Sequence, residues 1–320
     1  VRSKWKKPHN LVLTIEEISK SYRRQKILHD INFSVKEGEI LGLLGPNGAG
    51  KTSLMRIINQ IIDQDRGHIL FKGKVMRSAD LAEIGYLPEE RGLYKTMSVH
   101  RQLLYLARLR GMSKKDAKQQ INFWLEKFSI EDWGKKRIEE LSKGMAQKIQ
   151  FIATVLHDPS LLILDEPFSG FDPVNIELIR DEIKRFKKEG RTILISTHNM
   201  NSVEAICDRA VLINQGEMLL EGSITNLRDQ HKEGLYEICF EGNMISFANA
   251  LWVGYEIIEK IDKGENQFCV RLKMRKENSI NDLLNAVMGQ VKILSVHEVL
   301  PGMDEVFVQQ VQPKKEVEDE

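Results

Sequence analysis

The 320-residue chain contains no apolar run approaching the roughly 20 residues that cross a bilayer, and no signal-peptide pattern marks its amino end. Any work at a membrane is therefore expected to use a membrane-spanning partner. Cysteine is scarce: Cys207, Cys239 and Cys269 are scattered without metal-ligand spacing, and their odd number suits reduced cytosolic thiols used in packing. Charge of one sign is also missing, with 47 Lys and Arg against 46 Asp and Glu and a formal net charge of +1. That balance gives no support to a general nucleic-acid binder. What the chain does have is 42% hydrophobic residues and a length beyond one ordinary α/β domain, so two domains with sizeable cores are expected.

Residues Gly45 to Thr52 read GPNGAGKT and follow the apolar run Ile40 to Leu44, which matches the phosphate-loop pattern G-x-x-x-x-G-K-[ST]. Gly45, Gly48 and Gly50 lack the Cβ that would keep the chain from wrapping a phosphate. After Pro46, which has no N–H, successive backbone N–H groups of the segment running through Asn47 and Ala49 to Ser53 can then point inward as an anion nest. The helix opening near Lys51 points its positive end at the same anion. Lys51 supplies a point charge for the outer phosphates, and the Thr52 hydroxyl is placed to ligate Mg²⁺. A glycine-rich strand-to-helix turn with no ligand would need no lysine.

Leu161 to Pro167, LLILDEP, is apolar without helical alternation and ends in two carboxylates, as expected of a buried parallel strand. Ligands of doubly wound sheets lie beyond the carboxyl ends of strands, which brings Asp165 and Glu166 beside the phosphate loop. Asp165 is assigned to the metal and Glu166 to the attacking water. The strand Thr192 to Ser196, leading to His198, repeats the same logic.

With LSKGM (Leu141 to Met145), SGFD (Ser169 to Asp172) and STH (Ser196 to His198) added in order, the chain resembles the ATP-binding subunit of an ABC transporter over about residues 10 to 230. The resemblance implies that Tyr22 stacks on adenine and that Ser142 and Gly144 contact the γ-phosphate of ATP held by a second ATP-binding subunit. It also implies that Asp172 lies at the dimer seam and that His198 touches the γ-phosphate. The implied partner is an integral membrane permease, which would place this subunit in the cytoplasm on the inner face of the membrane.

Two positions depart from the commonest family pattern. Lys143 and Met145 stand where LSGGQ has glycine and glutamine, and Glu89, in YLPEERGLY (Tyr86 to Tyr94), stands where glutamine is usual. Glutamate keeps an oxygen for Mg²⁺ but adds charge and loses an amide donor. These variants resemble the sodium-export branch of small prokaryotic exporters. The substrate does not follow from them.

The expected fold is an α/β P-loop nucleotide-binding domain with an antiparallel β layer and a helical subdomain, followed by a small carboxyl-terminal α/β domain. Residues 1–9 form a basic tail, 10–228 the ATP-binding domain with its helical subdomain at about 95–142, 229–312 the accessory domain, and 313–320 a charged tail. Ser142 to Leu156 reads as a helix, and Asp172 with Pro173 opens another that stops at Gly190. Lys263 and Gly264 read as a hairpin turn inside a split β-α-β module, with dimerisation or regulation as its expected role. Tyr94, Trp124 and Trp133 are candidates for lining a cleft that, in the resembled family, receives a permease helix. The rival functions are a soluble ATPase that remodels another assembly and a regulator that holds ATP without hydrolysing it. Retention of Glu166 speaks against the latter.

Overall fold

The computed structural model describes residues 10–311 apart from 24, 91, 252, 253, 276 and 277, so the expected tails at 1–9 and 313–320 lie outside the described residues. The chain divides after Ile224 into two compact units.

In the first unit, β1 (Leu11–Tyr22), β2 (Gln25–Lys36) and β3 (Ile40–Leu44) lead into α1 (Lys51–Ile58), β4 (Arg66–Phe71), β5 (Lys74–Val75) and β6 (Ile84–Leu87). Two helices, α2 (Val99–Leu109) and α3 (Lys114–Lys127), precede α4 (Lys143–Val155) and β7 (Leu161–Asp165). Then come α5 (Pro173–Lys188), β8 (Thr192–Thr197), α6 (Met200–Ile206), β9 (Arg209–Asn214) and β10 (Glu217–Ser223). The helix α7 (Ile224–Gln230) crosses the division.

The central sheet runs β10-β9-β3-β8-β7-β6, parallel from β9 to β6, with β10 antiparallel at one edge. Every residue of β3, β7 and β8 is buried, which is why their sequences are apolar without alternation. A second, antiparallel sheet in the order β2-β1-β4-β5 packs its alternate residues, among them Leu13, Ile15, Ile31 and Phe33, with α1 and one face of the central sheet. The other face packs against α2 to α5 through Leu103, Ile121, Phe151, Ile183 and Phe186.

Local chemistry sets the helix starts that matter for the site. Ser142 caps α4, its hydroxyl accepting from the Met145 N–H at 3.3 Å. Asp172 caps α5 through the Asn175 N–H at 3.0 Å, with Pro173 in the first turn. The α4 cap uses the Met145 N–H and leaves those of Lys143 and Gly144 at the helix entrance, whereas Pro173 and the bonds to Asp172 leave none free at the start of α5.

In the second unit, β11 (Leu235–Glu241), α8 (Met244–Ala250), β12 (Tyr255–Gly264), β13 (Gln267–Met274), α9 (Ile280–Val287) and β14 (Lys292–Val299) precede α10 (Met303–Val311). The strands form an antiparallel sheet in the order β12-β13-β11-β14, a split β-α-β arrangement with Phe240, Phe247, Val270 and Leu283 in its core. The hairpin turn sits two residues later than its sequence suggests, on Glu265 and Asn266, whose φ values of 53° and 58° fit a tight primed turn. Lys263 and Gly264 belong to the end of β12.

Two cysteines also differ from expectation. Antiparallel pairing of β11 with β13 places Cys239 directly opposite Cys269, and the two are joined as a disulfide. Thirty residues of separation gave no hint of this, because only the register brings them together. Cys207 does behave as a packing residue: it lies against the first unit's core, and burial pushes its thiol up to about 12.

Trp124 is 3% exposed and packs its ring against Phe128 and Phe186 at centroid distances of 5.8 and 6.0 Å. Trp124→Ala is expected to cost the first unit about 3–5 kcal/mol, read as a lowered denaturant midpoint of that unit's transition.

Candidate functional site

Beyond the carboxyl ends of β3, β7 and β8 lies a cavity of about 450 Å³. Tyr22, the phosphate-loop residues Asn47 to Ser53, Glu89, Asp165 and Glu166 line it. Segments separated by more than a hundred residues therefore meet where the order of motifs placed them.

The three loop glycines are needed for different reasons. Gly45 has φ 150° and an added Cβ would collide with the Ile213 carbonyl oxygen, while Gly50 has φ 106° and its Cβ would fall 2.7 Å from Leu28 Cδ2. Gly48 is exposed on the cavity wall, and an added Cβ would meet no protein atom within 4 Å, so it would stand on the side open to a phosphate. Its φ of 81° is what calls for glycine, since the left-handed turn at the loop's tip strains any larger residue. Gly50 also caps α1 with no side-chain bond, leaving the first N–H groups of that helix for an anion. Lys51 is buried, and its ammonium donates to the carbonyl oxygens of Gly45 at 2.7 Å and Pro46 at 3.0 Å. Burial lowers its pKa, opposed by the charges of Glu166, Asp165 and Glu89. A lysine held by its own loop in a ring of carboxylates is set to exchange those carbonyls for phosphate oxygens.

The two strand-end carboxylates are held in different ways. Asp165 is 1% exposed; Ser196 Oγ donates to its Oδ1, and its Oδ2 is buried without a partner. Glu166 takes φ 48°, a left-handed conformation uncommon for glutamate, and its N–H donates to the Ser196 carbonyl at 3.1 Å. Its Oε1 accepts from the His198 N–H at 3.0 Å and lies 2.7 Å from His198 Nδ1, while Thr197 Oγ1 donates to Oε2 at 3.3 Å. Ser196 and Thr197 thus orient the two acids, a role that sequence reasoning did not assign, since within STH it singled out only His198, for contact with the γ-phosphate.

The orphaned Asp165 Oδ2, the Thr52 hydroxyl and Glu89 face one cavity and are oxygen donors suited to a hard divalent cation. Among the described residues, no cluster of three or more His, Cys, Asp or Glu side chains could hold a metal alone. Such an ion would rest largely on nucleotide phosphates and water, as is usual for Mg²⁺.

Ser142 and Gly144 are not among the residues that line this cavity. Ser142 is exposed at the entrance to α4, and Gly144 lies near the Gly170 turn that leads to Asp172. Hydrogen bonds to the Asn175 N–H and side chain hold the Asp172 carboxyl below its usual range.

A second cavity, of about 610 Å³, opens between α1, α2, α4 and the loop after β6, with Arg56, Ile61, Leu106, Leu109, Arg110 and His157 along its walls. None of the three aromatics expected here lines it. Trp124 points into the core, Tyr94 is 52% exposed with its ring edge against Tyr105, and Trp133 is half-buried under Lys148. The amphipathic pattern of α3 places Trp124 on the face that packs against α5, so its bulk serves the core. Gln150 instead shapes the wall, donating to the carbonyl oxygens of Pro88 and Glu90 at 3.1 and 3.2 Å.

The ABC transporter family matches residues 28–169, and the C-terminal domain of DrrA1-3-like ATP-binding proteins matches residues 222–311. The uncharacterized ABC transporter ATP-binding protein YhaQ of Bacillus subtilis is 45% identical over 217 residues, spanning 68% of this chain and 73% of the relative. The chain belongs to the ATP-binding subunits of ABC transporters. Its nucleotide-binding cassette is thus an ATP-hydrolysing one. The linearmycin resistance ATP-binding protein LnrL of the same organism is 36% identical over 68% of this chain and 70% of its own length. A solved ATP-binding subunit of an ABC transporter superposes with a TM-score of 0.64 at 31% identity, covering 68% of this chain and 92% of that one.

The second cavity of this cassette carries a pH signal. Burial, reinforced by Arg110 and opposed by the Ile84 carbonyl 3.1 Å from Nε2, lowers the His157 pKa to about 4. The fold therefore keeps His157 neutral while the unfolded chain takes up a proton near pH 6.5. This contribution is complete above pH 6.5 and is lost as pH falls towards 4. Denaturant titrations between these pH values should show a loss on the order of 3 kcal/mol, which His157→Gln removes from the slope.

Proposed function

We propose that this subunit closes with a second ATP-binding subunit around Mg-ATP and powers export through an integral membrane permease. The observation that carries the reading is the division of the phosphate shell. One cavity holds Lys51, Thr52, Glu89, Asp165 and Glu166, whereas the capped, exposed start of α4 with Ser142 and Gly144 lies outside it. A second copy would supply that start to the γ-phosphate, with Asp172 at the seam, and would complete each site in trans. Closure then follows from differential affinity: ATP has a terminal phosphate for both partners to share, and ADP does not.

Within each site, Lys51 and the loop N–H groups bind the phosphates, and Tyr22, 45% exposed at the end of β1, offers a ring to the base. Thr52 and Asp165 would hold Mg²⁺, with Glu89 beside them as a sensor of the metal; the ion would neutralise charge on the phosphates. Glu166 orients and polarises the water. His198 keeps the Glu166 carboxylate in place and would touch the transferring phosphoryl group. Catalysis on this account is positioning and electrostatics.

Export rather than import is favoured by the resistance function named for the relative LnrL and by the exporter-like LSKGM and YLPEERGLY segments. No helix among the described residues is long and apolar enough to cross a membrane, consistent with a permease partner and a place at the membrane's inner face. The apolar and basic cleft of Leu106, Leu109, Arg56 and Arg110 is the surface offered to that permease.

Mg-ATP turnover of Glu166→Gln should fall at least about a hundredfold while ATP still drives its dimerisation. Equal turnover in variant and parent, or no ATP-dependent dimer with the permease present, overturns the proposal. Glu89→Gln in the same assay should shift the Mg²⁺ dependence or the rate; no change in either removes the metal-sensing role. For the cleft, Leu109→Glu should abolish transport by the reconstituted complex while the isolated subunit retains its ATPase activity. Unchanged transport would place the permease elsewhere.

A further inference from the structure

Positive charge is concentrated in one stretch of a chain whose formal net charge is only +1. Between His100 and Lys118 lie six arginines and lysines, Arg101, Arg108, Arg110, Lys114, Lys115 and Lys118, against one carboxylate, Asp116. That carboxylate is already engaged at the start of α3, where the Ser113 hydroxyl donates to it at 2.6 Å.

The helix α2 sorts its residues by side. Val99, Gln102, Leu103 and Ala107 are buried, and Leu106, Leu109 and Arg110 line the cleft assigned above to the permease. On the remaining side Arg101, Tyr105 and Arg108, at i, i+4 and i+7, form an exposed stripe. Tyr105 is 40% exposed, with the ring of Tyr94 edge-on to it at 5.8 Å. A groove of about 360 Å³ joins this stripe to α3, with His100, Arg101, Lys118 and Asn122 around a floor of Leu104 and Ile121. No carboxylate lines the groove, and Arg101, Lys114, Lys115 and Lys118 form no ion pair among the described residues. Arg108 donates to the Met112 carbonyl oxygen at 2.6 Å, which leaves its charge uncompensated. The next carboxylate along α3, Glu126, stands about two turns beyond Lys118.

A single phosphate would ask for a closed pocket of converging donors, and an acidic peptide for a continuous groove. Here the cations are spread over two helices and the turn between them, with tyrosine rings among them. Surfaces that rest on anionic headgroups have this composition: tyrosine suits the polar boundary of the bilayer, and each lysine or arginine adds to the attraction.

We propose that the outward side of α2 and the start of α3 form a lipid-docking surface, on which Arg101, Arg108, Lys114, Lys115 and Lys118 attract the anionic headgroups of a bilayer and Tyr105 enters the headgroup layer between them. This contact rests on the proposed place of the subunit at a membrane but needs neither permease nor nucleotide. Its failure would leave the ATP-driven closure and the permease cleft untouched.

Cosedimentation of the full chain, without permease, tests it with vesicles of phosphatidylcholine alone or of phosphatidylcholine and phosphatidylglycerol in equal amounts. The parent should bind the anionic vesicles at least about tenfold more tightly than the neutral ones and should be released as salt rises. R101Q/K118Q should lose at least about fivefold of that affinity, whereas K260Q/K263Q, which removes the same charge from the second unit, should lose none. Tyr105→Trp supplies a reading that does not depend on a loss: its added emission should move to shorter wavelength with anionic vesicles and stay in place with glycerol phosphate at the same phosphate concentration. Equal binding to both kinds of vesicle, equal losses in the two double variants, or an unmoved Y105W emission overturns the proposal. So does a permease complex weakened by R101Q/K118Q while vesicle binding is unchanged, which would give this face to an acidic segment of the permease instead.

Discussion

Parallel pairing of β7 with β8 places Asp165 beside Ser196, and from that single step of register the geometry of the catalytic carboxylates follows. Ser196 donates to Asp165, and its carbonyl fixes the backbone of Glu166 in a left-handed turn. The next two residues, Thr197 and His198, then close around the Glu166 carboxylate. A slip by one residue would bury the wrong side chains and separate the acids from their supports. The constraint is met because β3, β7 and β8 are apolar on both faces and are held between two layers. Burial of the sheet and aim of the catalytic groups are the same requirement.

That coupling explains which parts of the molecule were legible in the sequence. The phosphate loop, the strand-end acids and the caps at Ser142 and Asp172 are local: each depends on residue types within a few positions, and each was readable. The fully buried strands were readable for a related reason, since apolar runs of this length fit few other roles. Tyr22 and Glu89 reach the cavity from distant segments, and the resemblance to a family supplied what local chemistry could not.

What escaped depended on register or on facing. Cys239 and Cys269 look like isolated thiols until β11 and β13 are aligned. Within the phosphate loop, the pattern marks Gly45, Gly48 and Gly50 alike, yet only the folded surroundings tell the crowded positions from Gly48, where the protein leaves space and the backbone angle calls for glycine. Trp124 is an aromatic in an amphipathic helix, and no pattern within that helix says whether its apolar stripe meets a core or a partner. The structure turns it inward against Phe186 and gives the cleft to Leu106 and Leu109 of α2. Ser196 and Thr197 were in view within STH, but a buried hydroxyl has no sequence mark that separates orientation of a catalytic acid from packing.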